Sequence, residues 1–254
     1  MRAHVIQLGY DDTETIDHRT TRVAELLRAQ ADADLVLLPE LWPNGGFSYD
    51  TWEATAESLD GDVVSALRAA TRDLGAVVHM GSFVERDDAG RLFNTSVLLD
   101  RDGSILTTYR KVHLFGFGEG EPKLMTAGDG PVVHDRFGLA TCYDLRFPEQ
   151  FRGLLDAGAQ VVLLPAAWPA KRVGHWRLLA RARAIENQSY LLACNTAGTH
   201  AGVAMGGYSA VVDPWGEVLA EADPDVEEVL VVELDDELVA RTRASFPVLA
   251  DRRL

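Results

Sequence analysis

Short apolar runs alternate along the chain with longer stretches whose apolar positions recur every three or four residues. The runs predict strands over residues 4–8 and 35–38. Between them Ile16, Val23, Leu26 and Leu27 carry helical spacing, and Asp34 closes the turn before the second strand. A helix over residues 62–74 follows, with Val63, Leu67, Ala70 and Leu74 on one side. Strand patterns then cover residues 76–85, 94–99 and 105–109. The last two are joined by Asp100-Arg101-Asp102-Gly103, a hairpin-type turn with glycine at its end.

The second half repeats this grammar. Residues 138–142 read as a strand, 148–157 as a helix and 161–164 as a strand. A long helix over about residues 174–188 leads to strands over 190–195, 209–212, 218–220 and 229–233, with Asp213-Pro214-Trp215-Gly216 as a turn. Two β-α-β units end in similar words, Val36-Leu37-Leu38-Pro39-Glu40 and Val162-Leu163-Leu164-Pro165-Ala166, which points to a duplicated core. The class is α/β, with helices enough for two outer layers around stacked sheets. No linker or low-complexity tract divides the chain, so residues 1–254 read as a single domain with a C-terminal tail from about residue 235.

Composition narrows the function classes. The 254 residues are 47% hydrophobic and 25% charged, values that suit a globular chain with a large core. The net charge of −15 repels phosphate backbones and anionic membranes, which argues against nucleic-acid or membrane partners. Two cysteines, Cys142 and Cys194, are too few for a disulfide scaffold. The N-terminal MRAHVIQLGY lacks the basic and long apolar regions of a secretory signal, and no apolar run is long enough to span a bilayer. The expectation is a reduced, cytoplasmic protein acting on a small molecule. The triplets Asn94-Thr95-Ser96 and Asn187-Gln188-Ser189 then read as regular structure rather than glycosylation sites.

Three reactive residue types stand where a strand gives way to a loop: Glu40, Lys111 and Cys142. In α/β folds such strand ends are where reactive groups gather. Taken singly, each has a plain reading, a solvated carboxylate or ammonium and a small buried thiol.

The wording around each residue changes that balance. Leu37-Leu38-Pro39-Glu40 resembles the glutamate motif of the nitrilase, or carbon–nitrogen hydrolase, superfamily. Tyr109-Arg110-Lys111-Val112-His113-Leu114-Phe115 is similar to its lysine motif, and Cys142-Tyr143-Asp144-Leu145-Arg146-Phe147-Pro148-Glu149 to its nucleophile motif. The order Glu, Lys, Cys fits, as do Asn94-Thr95-Ser96, the Arg183–Gln188 stretch and the Asp213–Gly216 turn. The resemblance implies a four-layer α-β-β-α sandwich and hydrolysis of a small amide. Cys142 would attack the carbonyl, Glu40 would move the protons, and Lys111 with the Tyr143 backbone N–H would hold the oxyanion. A second glutamate is implied between lysine and nucleophile: Glu121 matches better, with Glu119 as rival. Gly116-Phe117-Gly118 departs from the family's wording, which marks a difference at the pocket rim.

The neighbours carry paired readings. Arg146 binds a substrate carboxylate or, the favoured reading, forms an internal salt bridge. Trp168 is a pocket wall or core. His113, Glu186 and Asn187 read as internal polar contacts, and Cys194 as a core thiol. The Tyr-Asp-Leu-Arg-Phe-Pro-Glu wording, Ala167-Trp168-Pro169-Ala170 and His175-Trp176 resemble the ω-amidase and deaminated-glutathione amidase branch, whose substrates are ω-amides such as 2-oxoglutaramate. Carbamoyl-amide or nitrile cleavage by the same residues is the alternative, and a catalytically silent binding protein on this fold is the alternative from another class. No cofactor and no metal is implied, since no His-x-x-x-His or Cys-x-x-Cys spacing occurs. A homodimer or larger homo-oligomer is expected from the resemblance alone.

Overall fold

The computed structural model describes residues 1–253. Its first half runs β1 (Arg2–Gln7), β2 (Gly9–Asp11), α1 (Ile16–Arg28), β3 (Leu35–Leu37), α2 (Tyr49–Thr55), α3 (Asp62–Leu74), β4 (Val77–Arg86), β5 (Leu92–Leu99) and β6 (Ile105–Arg110). A short α4 (Glu121–Leu124) leads to β7 (Val132–His134), β8 (Phe137–Leu139), α5 (Pro148–Asp156), β9 (Val161–Pro165), α6 (Val173–Asn187) and β10 (Tyr190–Cys194). The chain closes with β11 (Ala197–His200), β12 (Val203–Ala204), β13 (Ala210–Val212), β14 (Val218–Glu221), β15 (Glu228–Glu233) and α7 (Leu238–Ser245).

The strands form two six-stranded sheets, β15-β1-β3-β4-β5-β6 and β14-β13-β10-β9-β8-β7, plus a small sheet β12-β11-β2. The central strands are parallel and apolar on both faces, as strands buried on both faces must be. One apolar cluster lies between the large sheets, holding Val5, Leu37 and Leu98 of the first against Leu139, Leu163 and Leu192 of the second. A second packs the first sheet against α1 and α3 through Val23, Leu27, Val64 and Leu67. A third packs the other sheet against α5 and α6 through Phe151, Leu154, Trp176 and Ala184. The order is therefore helix, sheet, sheet, helix.

Local signals explain several element ends. Thr15 caps α1 by accepting from His18 N at 3.3 Å. Gly75 closes α3 at φ +76°, and Gly103 turns the β5–β6 hairpin at φ +78°. The elements that escaped the pattern are α2, the β2–β11 pair, α4, β7, β12 and α7. The tail from residue 235 folds back on its own chain. Val239 and Thr242 of α7 are buried, and Arg243 Nη2 donates to Ala159 O at 3.1 Å and Asn187 O at 3.3 Å. The strand expected over residues 138–142 stops at Leu139, because Cys142 takes a left-handed backbone, φ +45°, and opens a 3-10 turn, Cys142–Arg146. Among the described residues no helix is long and apolar enough to cross a membrane.

Candidate active site

The end of β3 carries Glu40 into the space between the sheets. β4 bulges beside it at Gly81, φ +73°, where a Cβ would lie 2.0 Å from Pro39 O. Only glycine lets the two strands close there. Glu40 Oε2 accepts from Ala167 N at 2.8 Å, so the loop after β9 fixes its carboxylate. Its Oε1 accepts from Lys111 Nζ at 2.8 Å and from Asn94 Nδ2 at 2.8 Å.

Lys111 follows β6 and is 2% exposed. Besides Glu40, its ammonium reaches both oxygens of Glu121, at 3.0 and 2.8 Å. Glu121 also accepts from Asn94 Nδ2 at 2.7 Å and Phe115 N at 2.6 Å. Glu119 instead points to solvent and pairs with Lys123, so the choice left open between the two falls on Glu121 for proximity to Lys111. Asn94, in β5, is the joint that touches both carboxylates; its motif had been noticed, its contacts had not.

The electrostatics follow from burial. Burial alone would push the Lys111 ammonium down, but Glu121, Glu40 and Cys142 outweigh it and hold it well above the ordinary lysine value. Burial raises Glu121, with Lys111 opposing. Burial and then the Glu40 charge push the Cys142 thiol well up, again against Lys111. The resting sulfur is therefore a protonated thiol at neutral pH, and it needs a base to become a nucleophile.

The turn that bears Cys142 is tied down by Asp144. Its Oδ2 accepts from Thr141 N at 2.8 Å and Tyr109 Oη at 2.7 Å, and its Oδ1 from His113 N at 3.1 Å. His113 Nδ1 lies 2.8 Å from the same Oδ1, and the ring stacks on Phe147 at 3.8 Å, so His113 has the structural role expected. These ties hold Cys142 at a positive φ that costs a non-glycine residue about 1 kcal/mol. The N–H of Tyr143 belongs to the first turn of the 3-10 segment, where backbone donors lack intrahelical acceptors.

Glu40, Lys111, Glu121 and Cys142 face one cavity of about 380 Å³, counting its mouth. Phe47, Tyr49, Phe115, Tyr143 and Trp168 wall it, and Trp168 also packs in the buried cluster beneath, so wall and core are both true of it. The internal salt bridge favoured for Arg146 does not form. Among the described residues no carboxylate pairs with its guanidinium, which lies 4.7 Å over Trp168 with Nη1 3.2 Å from His175 Nδ1. Burial, and then the like charge of Arg172, lower its pKa. Arg172, which the sequence reading passed over, lines the same cavity and lies 5.1 Å over Phe115. Two guanidiniums without a carboxylate partner at one rim leave a positive charge there that an anion could meet. Cys194 is buried in the core, its thiol donating to Ile6 O at 3.1 Å, and Glu186 pairs with Arg183. Among the described residues no group of three His, Cys, Asp or Glu side chains is placed to hold a metal ion.

Comparison with known proteins agrees with this geometry. Residues 2–244 match the family model described as carbon-nitrogen hydrolase. A 2-oxoglutaramate amidase of Paenarthrobacter nicotinovorans is 45% identical, covering 98% of this chain and 88% of its own. A carbon–nitrogen hydrolase superfamily protein of Xanthomonas campestris, solved with an arsenic adduct in its active site, superposes with a TM-score of 0.91. It is 31% identical and covers 100% of this chain and 97% of its own. A mutant amidase of Nesterenkonia sp. AN1, solved with acrylamide added at the active-site cysteine, gives a TM-score of 0.84. It is 28% identical, with coverage of 98% and 99%.

Proposed function

The chain belongs to the carbon–nitrogen hydrolase family and is an amidase, and on that premise we propose that it hydrolyses the ω-amide of a short α-keto dicarboxylate, 2-oxoglutaramate or a close analogue, through a thioester on Cys142. The observation that carries the substrate class is the pair of unpaired guanidiniums, Arg146 and Arg172, on the cavity that holds the thiol. A carboxylate seated there orients the far end of the molecule, and the aromatic walls suit the methylene chain between.

Glu40 takes the thiol proton as Cys142 Sγ attacks the amide carbon. The developing oxyanion is held by Lys111 Nζ and Tyr143 N–H, donors of a kind typically worth roughly 3–4 kcal/mol of barrier each. Protonated Glu40 then gives its proton to the departing nitrogen, the C–N bond breaks and ammonia leaves. Glu40 next deprotonates water, whose oxygen attacks the thioester; the C–S bond breaks, and sulfur regains its proton from Glu40. Glu121 shares Lys111 with Glu40 and holds the ammonium on the oxyanion's side. Cytoplasmic location and a homo-oligomeric state belong to the same reading.

The test is ammonia release from 2-oxoglutaramate, succinamate, glutamine, an N-carbamoyl amino acid and a nitrile, with the acid product identified by mass. Turnover led by 2-oxoglutaramate and absent in Cys142→Ala supports the reading. Preference for the carbamoyl compound or the nitrile keeps the chemistry and overturns the substrate, while activity that survives Cys142→Ala overturns the thioester.

A further inference from the structure

We infer that Tyr49 reads the α-keto group of the substrate, its hydroxyl donating to the keto oxygen while the rim arginines hold the carboxylate; this rests on the substrate reading above. Tyr49 opens α2 and lines the reactive cavity. Its ring stands edge-on to the wholly buried Trp52 at 4.7 Å and to Phe47 at 6.0 Å, so its direction is set from behind. The hydroxyl end lies against the loop that leads into Glu121. A Cβ on Gly120 would meet Tyr49 Cζ at 3.1 Å, Tyr49 Oη at 3.2 Å and Phe115 O at 3.2 Å. Tyr49 also borders a groove on the outer surface, with Asp12, Glu14 and Asp50. The charges that act most on its hydroxyl are instead Glu121, Lys111, Glu40 and Cys142, the groups of the reaction centre. Burial, and then the Glu121 charge, push its pKa up to about 12, so at neutral pH it is an uncharged donor.

Among the described residues nothing hydrogen-bonds to that hydroxyl. The other neutral donors on the cavity are differently placed. Trp168 Nε1 is spent on Arg172 O at 2.8 Å. The Tyr143 ring packs edge-on among Phe115, Phe117 and Phe147, and Phe117 is 87% exposed, so that ring belongs to the solvent-facing mouth. Phe115 links the Tyr49 hydroxyl to the rim. Its carbonyl crowds Gly120 from beside Tyr49 Oη, and its ring carries the Arg172 guanidinium at 5.1 Å. Along this wall the order is reaction centre, Tyr49 hydroxyl, arginine. The substrate has the same order, with its keto carbon between the amide carbon and the carboxylate.

The group that suits this position is an acceptor without charge. A carbonyl oxygen accepts from the phenol, whereas a methylene takes its water away and returns nothing. An unpaired donor facing the wrong substrate is what gives such a site its selectivity. An α-ammonium, as in glutamine, sets a positive charge beside two guanidiniums. The cavity's carboxylates, Glu40 and Glu121, are already bound by Lys111 and do not offset it. Tyr49 keeps its proton throughout; it selects the substrate and takes no part in the bond changes at Cys142.

The experiment compares the wild type with Tyr49→Phe on 2-oxoglutaramate and on glutaramate, the same chain with a methylene in place of the keto carbon. kcat and KM are read from ammonia release. The wild type is expected to favour the keto amide by about tenfold or more in kcat/KM, the size of one hydrogen bond. Tyr49→Phe, which removes one oxygen and keeps the ring, should lower kcat/KM for the keto amide about tenfold more than for glutaramate. Most of that difference should fall in KM, and the two amides should come within about threefold of each other. Equal losses on both amides, a heavier loss on glutaramate, or no loss on either overturn the proposal and leave the substrate reading standing. A wild type that turns over the two amides equally well does the same. A wild type that turns over neither overturns this inference together with the substrate reading on which it rests.

Discussion

The two large sheets are built to one plan and supply the site unequally. Each has three parallel strands followed by two antiparallel ones, with one further antiparallel strand closing the other edge: β15-β1-β3-β4-β5-β6 beside β7-β8-β9-β10-β13-β14. β3 and β9 are counterparts, and the similar words that end them put Glu40 opposite Ala166. The first half supplies the carboxylate and the ammonium, from the ends of β3 and β6. The second supplies the thiol, from the turn after β8. The seam is made by the counterparts themselves, since Glu40 N donates to Ala166 O at 3.4 Å and Ala167 N to Glu40 Oε2 at 2.8 Å. Neither sheet alone holds the charges in a dry setting; their docking creates it, and with it the shifted pKa values.

The largest expected effect contrasts two thiols of the second half. Cys142→Ala should lower kcat by about 10⁴-fold or more, as removal of a nucleophile does, whereas Cys194→Ala, at the end of β10, should leave kcat within about twofold. Comparable losses in the two variants, with both shown folded by circular dichroism, would mean that placement on the cavity, which Cys142 has and Cys194 lacks, does not select the nucleophile. Next in size is the first half's carboxylate. Glu40→Gln keeps an acceptor for Ala167 N–H but not the charge, and should cost on the order of 10³-fold in kcat. A Glu40→Gln enzyme within tenfold of wild type would shift the base to Glu121.

A smaller effect belongs to the rim. Arg146→Met and Arg172→Met should each lower kcat/KM for a carboxylate-bearing amide by about 10- to 100-fold, the range of a charge-assisted hydrogen bond. Most of the loss should fall in KM, and neutral amides of similar length should lose little. An equal loss on neutral amides would reduce the two arginines to packing groups.

The contrast between halves also explains what the sequence could tell. The parallel strands were legible because each is a continuous apolar word, and the duplication because two of those words nearly repeat. Glu40, Lys111 and Cys142 were legible because they stand at strand ends inside distinctive wording. Arg172 was not, since nothing local in Lys171-Arg172 says which of the two cations turns inward beside Phe115. Arg146 was assigned a salt bridge on a general tendency, and its outcome turned on the absence of any nearby acid, a property of folded space. The helix α7 was passed over because only Val239 and Thr242 of its eight residues are buried. The roles of Gly81 and Asn94 were invisible for a similar reason, although the Asn94 motif was legible: their partners, Pro39 O and the two carboxylates, lie on other strands or loops.

The smallest effect sharpens the comparison at one matched position. In the first half Leu37 pairs across to His79, and in the second its counterpart Leu163 pairs across to Leu192. His79 is wholly buried, and its Nδ1 accepts from Gly81 N at 3.2 Å, so a neutral imidazole secures the bulge beneath Glu40. Burial pushes its pKa from 6.5 down to about 3. Between those values the unfolded chain binds a proton that the folded chain refuses. Stability is therefore complete above about pH 6.5 and drains away as pH falls towards 3. His79→Leu gives the first half the second half's residue and should flatten this part of the pH dependence, read from urea midpoints between pH 7 and 4. At pH 7 the same change leaves Gly81 N–H buried without its acceptor, at a cost of about 1–2 kcal/mol, and should lower kcat a few-fold by loosening the turn that holds Glu40. A variant that loses stability with acid as steeply as the wild type would show that the acid sensitivity lies elsewhere, and one with unchanged kcat would separate the bulge from the carboxylate it supports.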